Sequence, residues 1–174
     1  MKLAQVSVAA LLAACGAACT PAFDWREFMA EGSGVVATFP CRPDRHARDV
    51  VVADARVRME MLVCKTGGQT FAISFLDVAD PARVTATLVG LRVVALANVQ
   101  GVQPRVVPAQ VTGMTPNTEA VRLAALGRLP DGAGVEAHAL FFAKGLRVYQ
   151  ATVIGAQTAP GVVEMFFGGL KFPP

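Results

Sequence analysis

Val135-Glu136-Ala137-His138-Ala139-Leu140-Phe141-Phe142-Ala143-Lys144-Gly145-Leu146-Arg147-Val148-Tyr149-Gln150-Ala151-Thr152-Val153-Ile154 is the stretch that decides the fold. Two runs rich in β-branched and aromatic residues flank Lys144-Gly145, which reads as a tight turn. Strands over 135–143 and 146–154, joined at Lys144-Gly145, place Phe142 opposite Arg147 and Leu140 opposite Tyr149 on one side. Phe141 then faces Val148 on the other. Successive side chains of a strand point to opposite faces. Both faces therefore carry large apolar groups, and the sheet is expected to be covered on both sides.

Working outward, more strands are expected upstream and downstream of this hairpin. Residues 35–40 form a short β run stopped by Pro40, and 50–52 a shorter one. Residues 57–64 and 70–77 read as strands joined by the turn Thr66-Gly67-Gly68-Gln69. Asp80-Pro81 opens a helix: aspartate caps free N–H groups and proline suits the first helical position. Val84, Leu88, Leu91 and Ala95 form its apolar stripe, and it is expected to stop over 98–101. Gly90 weakens this helix or lets it pack closely on a sheet. Residues 105–111, broken by Pro108, and 120–129 are β-compatible, with loops at 113–117 and 130–134. Residues 158–170 close the chain with the stripe Val163, Phe166, Phe167, Leu170, and Lys171-Phe172 can run back onto the sheet. Strands, one long helix, more strands and a terminal helix predict an α+β domain. The expected architecture is a three-layer α/β/α sandwich, mainly antiparallel, with a helix on each face.

The N-terminus has a different character. Lys2 precedes an apolar run over 3–14, too short for a membrane span, which needs about 20 residues. Leu12-Ala13-Ala14-Cys15 resembles the lipobox of bacterial lipoproteins, with cleavage before Cys15 and lipid, such as palmitate, on its sulfur. The expected organisation is a signal peptide over 1–14, a lipidated tether over 15–33 and one α+β domain over 34–174. Cys19 is a second lipobox candidate, but Gly16 would then stand where leucine is preferred. In the tether, Phe23-Asp24-Trp25-Arg26-Glu27-Phe28 is amphipathic enough to dock on the domain, with Trp25 as an anchor over the core edge.

Composition narrows the function classes. Apolar residues make up 53%, enough for a well-filled core, and 16 basic against 13 acidic residues leave too little positive charge to argue for nucleic acid. Arg42, Arg45, His46 and Arg48 do cluster in CRPDRHAR. That segment reads as a solvated loop between strands, or as a contact with anionic headgroups or an acidic partner. An exported chain sits where disulfides persist, so Cys41 and Cys64 are the natural pair; two buried free thiols are the competing reading.

Catalytic signatures are absent. His46 and His138 have no metal-ligand spacing, and neither a nucleophile elbow nor a nucleotide-binding glycine pattern occurs. Lys65-Thr66-Gly67-Gly68 joins two strands and lacks the helix a phosphate loop requires. Met59 and Met61 share a strand face and read as core filling. Glu136 and His138 lie two apart on a strand and share a face; they are a conceivable acid–base pair or the polar rim of a hairpin. No cofactor is implied.

Several pieces resemble the PsbP-like group, the extrinsic subunit of the photosynthetic oxygen-evolving complex and its bacterial relatives. They are Val36-Ala37-Thr38-Phe39-Pro40, then Gln69-Thr70-Phe71-Ala72-Ile73-Ser74-Phe75-Leu76-Asp77, then Gly145-Leu146-Arg147-Val148-Tyr149-Gln150, and Phe166-Phe167-Gly168-Gly169-Leu170. The resemblance spans roughly 34–172 and implies an α/β/α sandwich with binding or assembly roles; it carries no functional residue with it. The expectation is a lipid-anchored, non-enzymatic envelope protein facing the periplasm, with a membrane and an envelope protein as partners. The alternatives are a small envelope enzyme using Glu136 and His138, or a hydrophobic-ligand carrier around Phe141, Phe142, Phe166 and Phe167. Loops 42–48 and 113–117 are the first candidates for recognition.

Overall fold

The computed structural model describes residues 22–29 and 31–174. Their main feature is a seven-stranded antiparallel sheet accompanied by a two-stranded one and two helices. The chain runs β1 (Arg26–Met29), β2 (Val36–Phe39), β3 (Asp44–Val52), β4 (Ala55–Thr66), β5 (Gln69–Asp77), α1 (Arg83–Asn98), β6 (Val102–Pro108), β7 (Val121–Arg128), β8 (Gly134–Lys144), β9 (Arg147–Gly155) and α2 (Pro160–Gly168). The large sheet has the order β3-β4-β5-β9-β8-β7-β6, and β1 pairs with β2 in the small one. The deciding hairpin, β8 and β9, thus lies near the sheet centre.

Alternation along the strands sorts side chains into two principal buried clusters. Phe71, Ile73, Leu140, Phe142, Tyr149 and Val153 pack with Val163, Phe166 and Phe167 of α2 and with Val35, Ala37 and Phe39 around β2. Phe141, Val148, Leu123 and Leu76, from the alternate positions, pack with Val84, Leu88 and Leu91 of α1. Phe141 and Phe142 are both fully buried, one in each cluster. Hydrophobic burial is roughly proportional to apolar area removed from water, so neighbouring side chains of β8 tie the sheet to both groups of helical residues.

The turn of the deciding hairpin differs from the expectation. Lys144 pairs with Arg147 and Phe142 with Tyr149, so the loop residues are Gly145-Leu146 rather than Lys144-Gly145. Gly145 has φ +57°, a conformation glycine adopts without steric cost, and it occupies the first loop position. The slip moves each partner by two residues, so every side chain keeps its expected face.

Helix α1 follows the expected stripe. Its start differs from the expectation: α1 begins at Arg83 with Ala82 as cap and no side-chain cap bond, so Pro81 precedes the helix, and Asp80 Oδ1 accepts from the Ala82 N–H at 2.9 Å in the turn that leads in. Gly90 does allow close packing: a Cβ there would lie 3.0 Å from Val52 Cγ1 and 3.3 Å from the Ala53 nitrogen. The strongest correction concerns CRPDRHAR. From Asp44 on it is strand rather than loop, paired with β4 from Asp44↔Val63 to Val52↔Ala55. Residues 44–49 are all exposed, which hid the strand: an edge strand with two wet faces shows no apolar period. Its charges also guard the edge against pairing with another chain.

The segment ahead of the domain takes part in the fold. Arg26 pairs with Phe39 and Met29 with Val36. Trp25 meets the Phe71 ring edge-on at 5.9 Å, as its expected anchoring role requires. At the other terminus Lys171 bridges to both Val36 and Thr112, so the chain end does return to sheet structure.

Candidate functional site

Glu136 and His138 share a face of β8, and a third residue joins them. Thr158, from the link between β9 and α2, donates its N–H to Glu136 Oε2 at 2.9 Å and its hydroxyl to the same oxygen at 2.7 Å. Its Oγ1 also lies 2.7 Å from His138 Nε2. A hydroxyl has one proton. That proton goes to the carboxylate, so Thr158 Oγ1 accepts from the ring and His138 carries its hydrogen on Nε2. The neutral imidazole then has its lone pair on Nδ1.

The electrostatics follow from these contacts. The hydrogen bonds from Thr158 hold the Glu136 carboxyl below its ordinary range. Burial pushes the His138 pKa down and the neighbouring Arg122 adds to this, against smaller opposing effects of Glu136 and Glu164. Arg122 itself grips Glu164 of α2 with two hydrogen bonds, 2.9 and 2.5 Å, and lies over the Phe167 ring. These bonds lower the Glu164 pKa. Beside the trio runs an open groove of about 640 Å³, walled by β6, β7, β8 and the start of α2.

The arrangement can orient a neutral imidazole beside a groove, but the hydroxyl is already committed to the carboxylate and offers no free nucleophile. Tyr149 is also unsuited to acid–base work near neutrality: burial pushes its pKa up to about 12, and its hydroxyl donates to the Ser33 carbonyl at 2.6 Å. The sequence reading missed Thr158, which lies 20 residues from His138 and reaches it only through the return of the chain after β9.

The basic segment does not form one patch. Arg45 bonds to Glu60 of β4 on the face that carries Leu62 and Cys64. Arg48 lines a cleft with Met59, Met61 and Leu91 on the opposite face, and alternation places His46 on Arg48's side. Arg42 precedes the strand. The 113–117 loop is held at several points: the Thr115 N–H donates to the Ala143 carbonyl, Lys144 to the Gly113 carbonyl and Asn117 to Thr85 of α1. Phe142, Phe166 and Phe141 are fully buried and Phe167 nearly so; Phe39 and Phe71 close on Phe166 at 5.2 and 5.4 Å.

Cys41 and Cys64 form a disulfide with Cα atoms 5.9 Å apart, within the usual span. Cys15 and Cys19 lie outside the described residues. Among the described residues no group of three or more His, Cys, Asp or Glu could hold a metal ion, and no helix is long and apolar enough to cross a membrane. The chain matches no protein-family profile and no curated protein.

Proposed function

We propose that this chain is a lipid-anchored binding or assembly module of the cell envelope, facing the periplasm and allied to the PsbP-like group. The observation that carries it is Leu12-Ala13-Ala14-Cys15 standing ahead of a domain closed by the Cys41–Cys64 disulfide. Disulfides persist in oxidising compartments and are rare in the cytosol, so leader and cross-link point the same way. A three-layer α/β/α arrangement accords with the two clusters, one fed by α1 and the other by α2. A non-enzymatic role accords with the trio: Glu136, Thr158 and His138 satisfy one another, and their bonds pin the entrance to α2 onto β8. The charged edge β3 and the groove beside α2 are surfaces such a scaffold can offer.

The test is metabolic labelling of cells with a clickable palmitate analogue, followed by membrane fractionation. The wild-type chain is expected to carry label and sediment with membranes. Cys15→Ser should lose both, whereas Cys19→Ser should keep them, since stable attachment needs the acyl chains. Label retained on Cys15→Ser overturns the reading.

A further inference from the structure

The groove beside α2 has features that the anchor and the envelope assignment leave unused. Val102 pairs with Leu126, yet Arg105 pairs with Ala124, so β6 carries one extra residue at Gln103-Pro104. This is a β-bulge, a device that re-aims side chains and recurs next to binding and active sites. Gln103 sits at φ +49°, a conformation that side-chain-bearing residues rarely adopt. Proline follows it and restricts the backbone further. Strain of this kind persists where surrounding structure enforces it, and it gathers at ligand-binding sites. Both residues flanking Pro104, Gln103 and Arg105, line the groove.

The charges of the groove are unevenly committed. Arg122 is engaged by Glu164, and Glu136 by Thr158. Arg105 has no hydrogen bond or ion pair from its side chain among the described residues. One uncommitted guanidinium therefore remains in the groove that Gln103 also lines. The rest of the lining is mixed: Arg122, Glu164, Glu136, His138 and Thr158 hold one another, and alongside them and Arg105 stand Ala124, Pro160 and Leu126, a large apolar side chain that is 55% exposed. An exposed leucine and an unpaired cation lining one concave site supply the two contacts an amphipathic anion needs, an apolar wall and a charged group that fixes orientation.

We propose that this groove binds a small amphipathic oxyanion. Its carboxylate or phosphate head sits on Arg105, with the Gln103 amide as a second donor, and its apolar body lies across Leu126, Ala124 and Pro160. Guanidinium matches the geometry of either head. The volume of about 640 Å³ accommodates a compact organic molecule.

The test is isothermal titration calorimetry on the full chain in lipid nanodiscs. The probes are 3-phenylpropionate, 2-phenylethylphosphonate and 3-phenylpropanol, which share an apolar body and differ in head. At least one anion is expected to bind, with the alcohol about tenfold weaker. The tighter of the two anions identifies the head group. Arg105→Gln should weaken the anion about tenfold and leave the alcohol unchanged. Leu126→Asn should weaken all three. Gln103→Gly should raise the melting temperature, because it relieves the positive-φ backbone, and should weaken the anion, because it removes the second donor as well as the strain that aims the groove. Lys65→Gln, a cation on β4 outside the groove, should change nothing. Failure of every probe to bind below about 1 mM overturns the proposal. So does an Arg105→Gln variant, folded by its melting curve, that binds the anion as wild type does.

Discussion

Removing the Cys41–Cys64 cross-link should cost more stability than any single exposed contact in the molecule. Cys41 follows β2 of the small sheet, whereas Cys64 lies in β4 of the large one and is 2% exposed. The bond therefore staples the two sheets, across a sequence separation of 23 residues. In the chain-entropy account, releasing a loop of that length restores about 3.5 kcal/mol of freedom to the unfolded chain. A domain of this size melts about 2–4 °C lower for each kcal/mol lost, so the drop should be about 7–14 °C. The variant should be Cys41→Ala with Cys64→Ala, because serine at the buried position 64 would bury a hydroxyl and add a separate penalty. Thermal melts of wild type and the double variant, followed by far-ultraviolet circular dichroism, measure the difference. Reductant should lower the wild-type melt toward the variant and leave the variant unmoved. A double variant melting within about 2 °C of wild type would refute the reasoning, since the cross-link would then constrain nothing that folding does not already hold.

Two further outcomes follow from the geometry. Burial lowers the His138 pKa from the ordinary 6.5, so as pH falls through that value the unfolded chain takes up the proton first and stability drops until the folded pKa is passed. Urea midpoints should fall between pH 7.5 and 5.5 in wild type and fall less in His138→Gln; equal slopes would contradict this. Gly127→Ala would set a Cβ 2.2 Å from the Val99 carbonyl oxygen, which already accepts from the Arg128 N–H. Urea unfolding should show a loss of about 1–3 kcal/mol from overpacking. Gly134→Ala, which meets open space, should stay within about 0.5 kcal/mol, and equal costs for the two would count against the clash.

The centre of the sheet was legible because burial on both faces leaves a strong local signal. Phe141 and Phe142 stand side by side, and only a strand covered from both sides can bury both. Even the misplaced turn did no harm there, since a slip of two residues preserves the faces. The α1 stripe was readable for the same reason: Val84, Leu88 and Leu91 recur at the helical period and all are buried. At the sheet edges that signal vanishes. Residues of β3 from Asp44 to Asp49 alternate nothing apolar, because neither of their faces is covered, and they look like loop. Strand β6 is exposed at all seven positions and contains two prolines, which an edge strand tolerates because it has a free side for the missing N–H groups. Its strand signal was found only from 105, three residues late.

Thr158 was hidden for a different reason. Its partners belong to it through topology: β9 must return antiparallel to β8 before the link to α2 can reach Glu136 and His138. No window of sequence contains that return. The same holds for the groove, whose walls come from β6, β7, β8 and α2, and whose bulge exists only relative to the register of β7. The positions that periodicity reads well are those that satisfy each other inside the core. Arg105, Gln103 and Leu126 lie where burial stops specifying the residue, so periodicity has no account of a cation, a positive-φ backbone and an exposed leucine meeting in one groove. Recognition of a ligand supplies one, and loss of binding on Arg105→Gln in a chain that still folds would tell that account from one of stability.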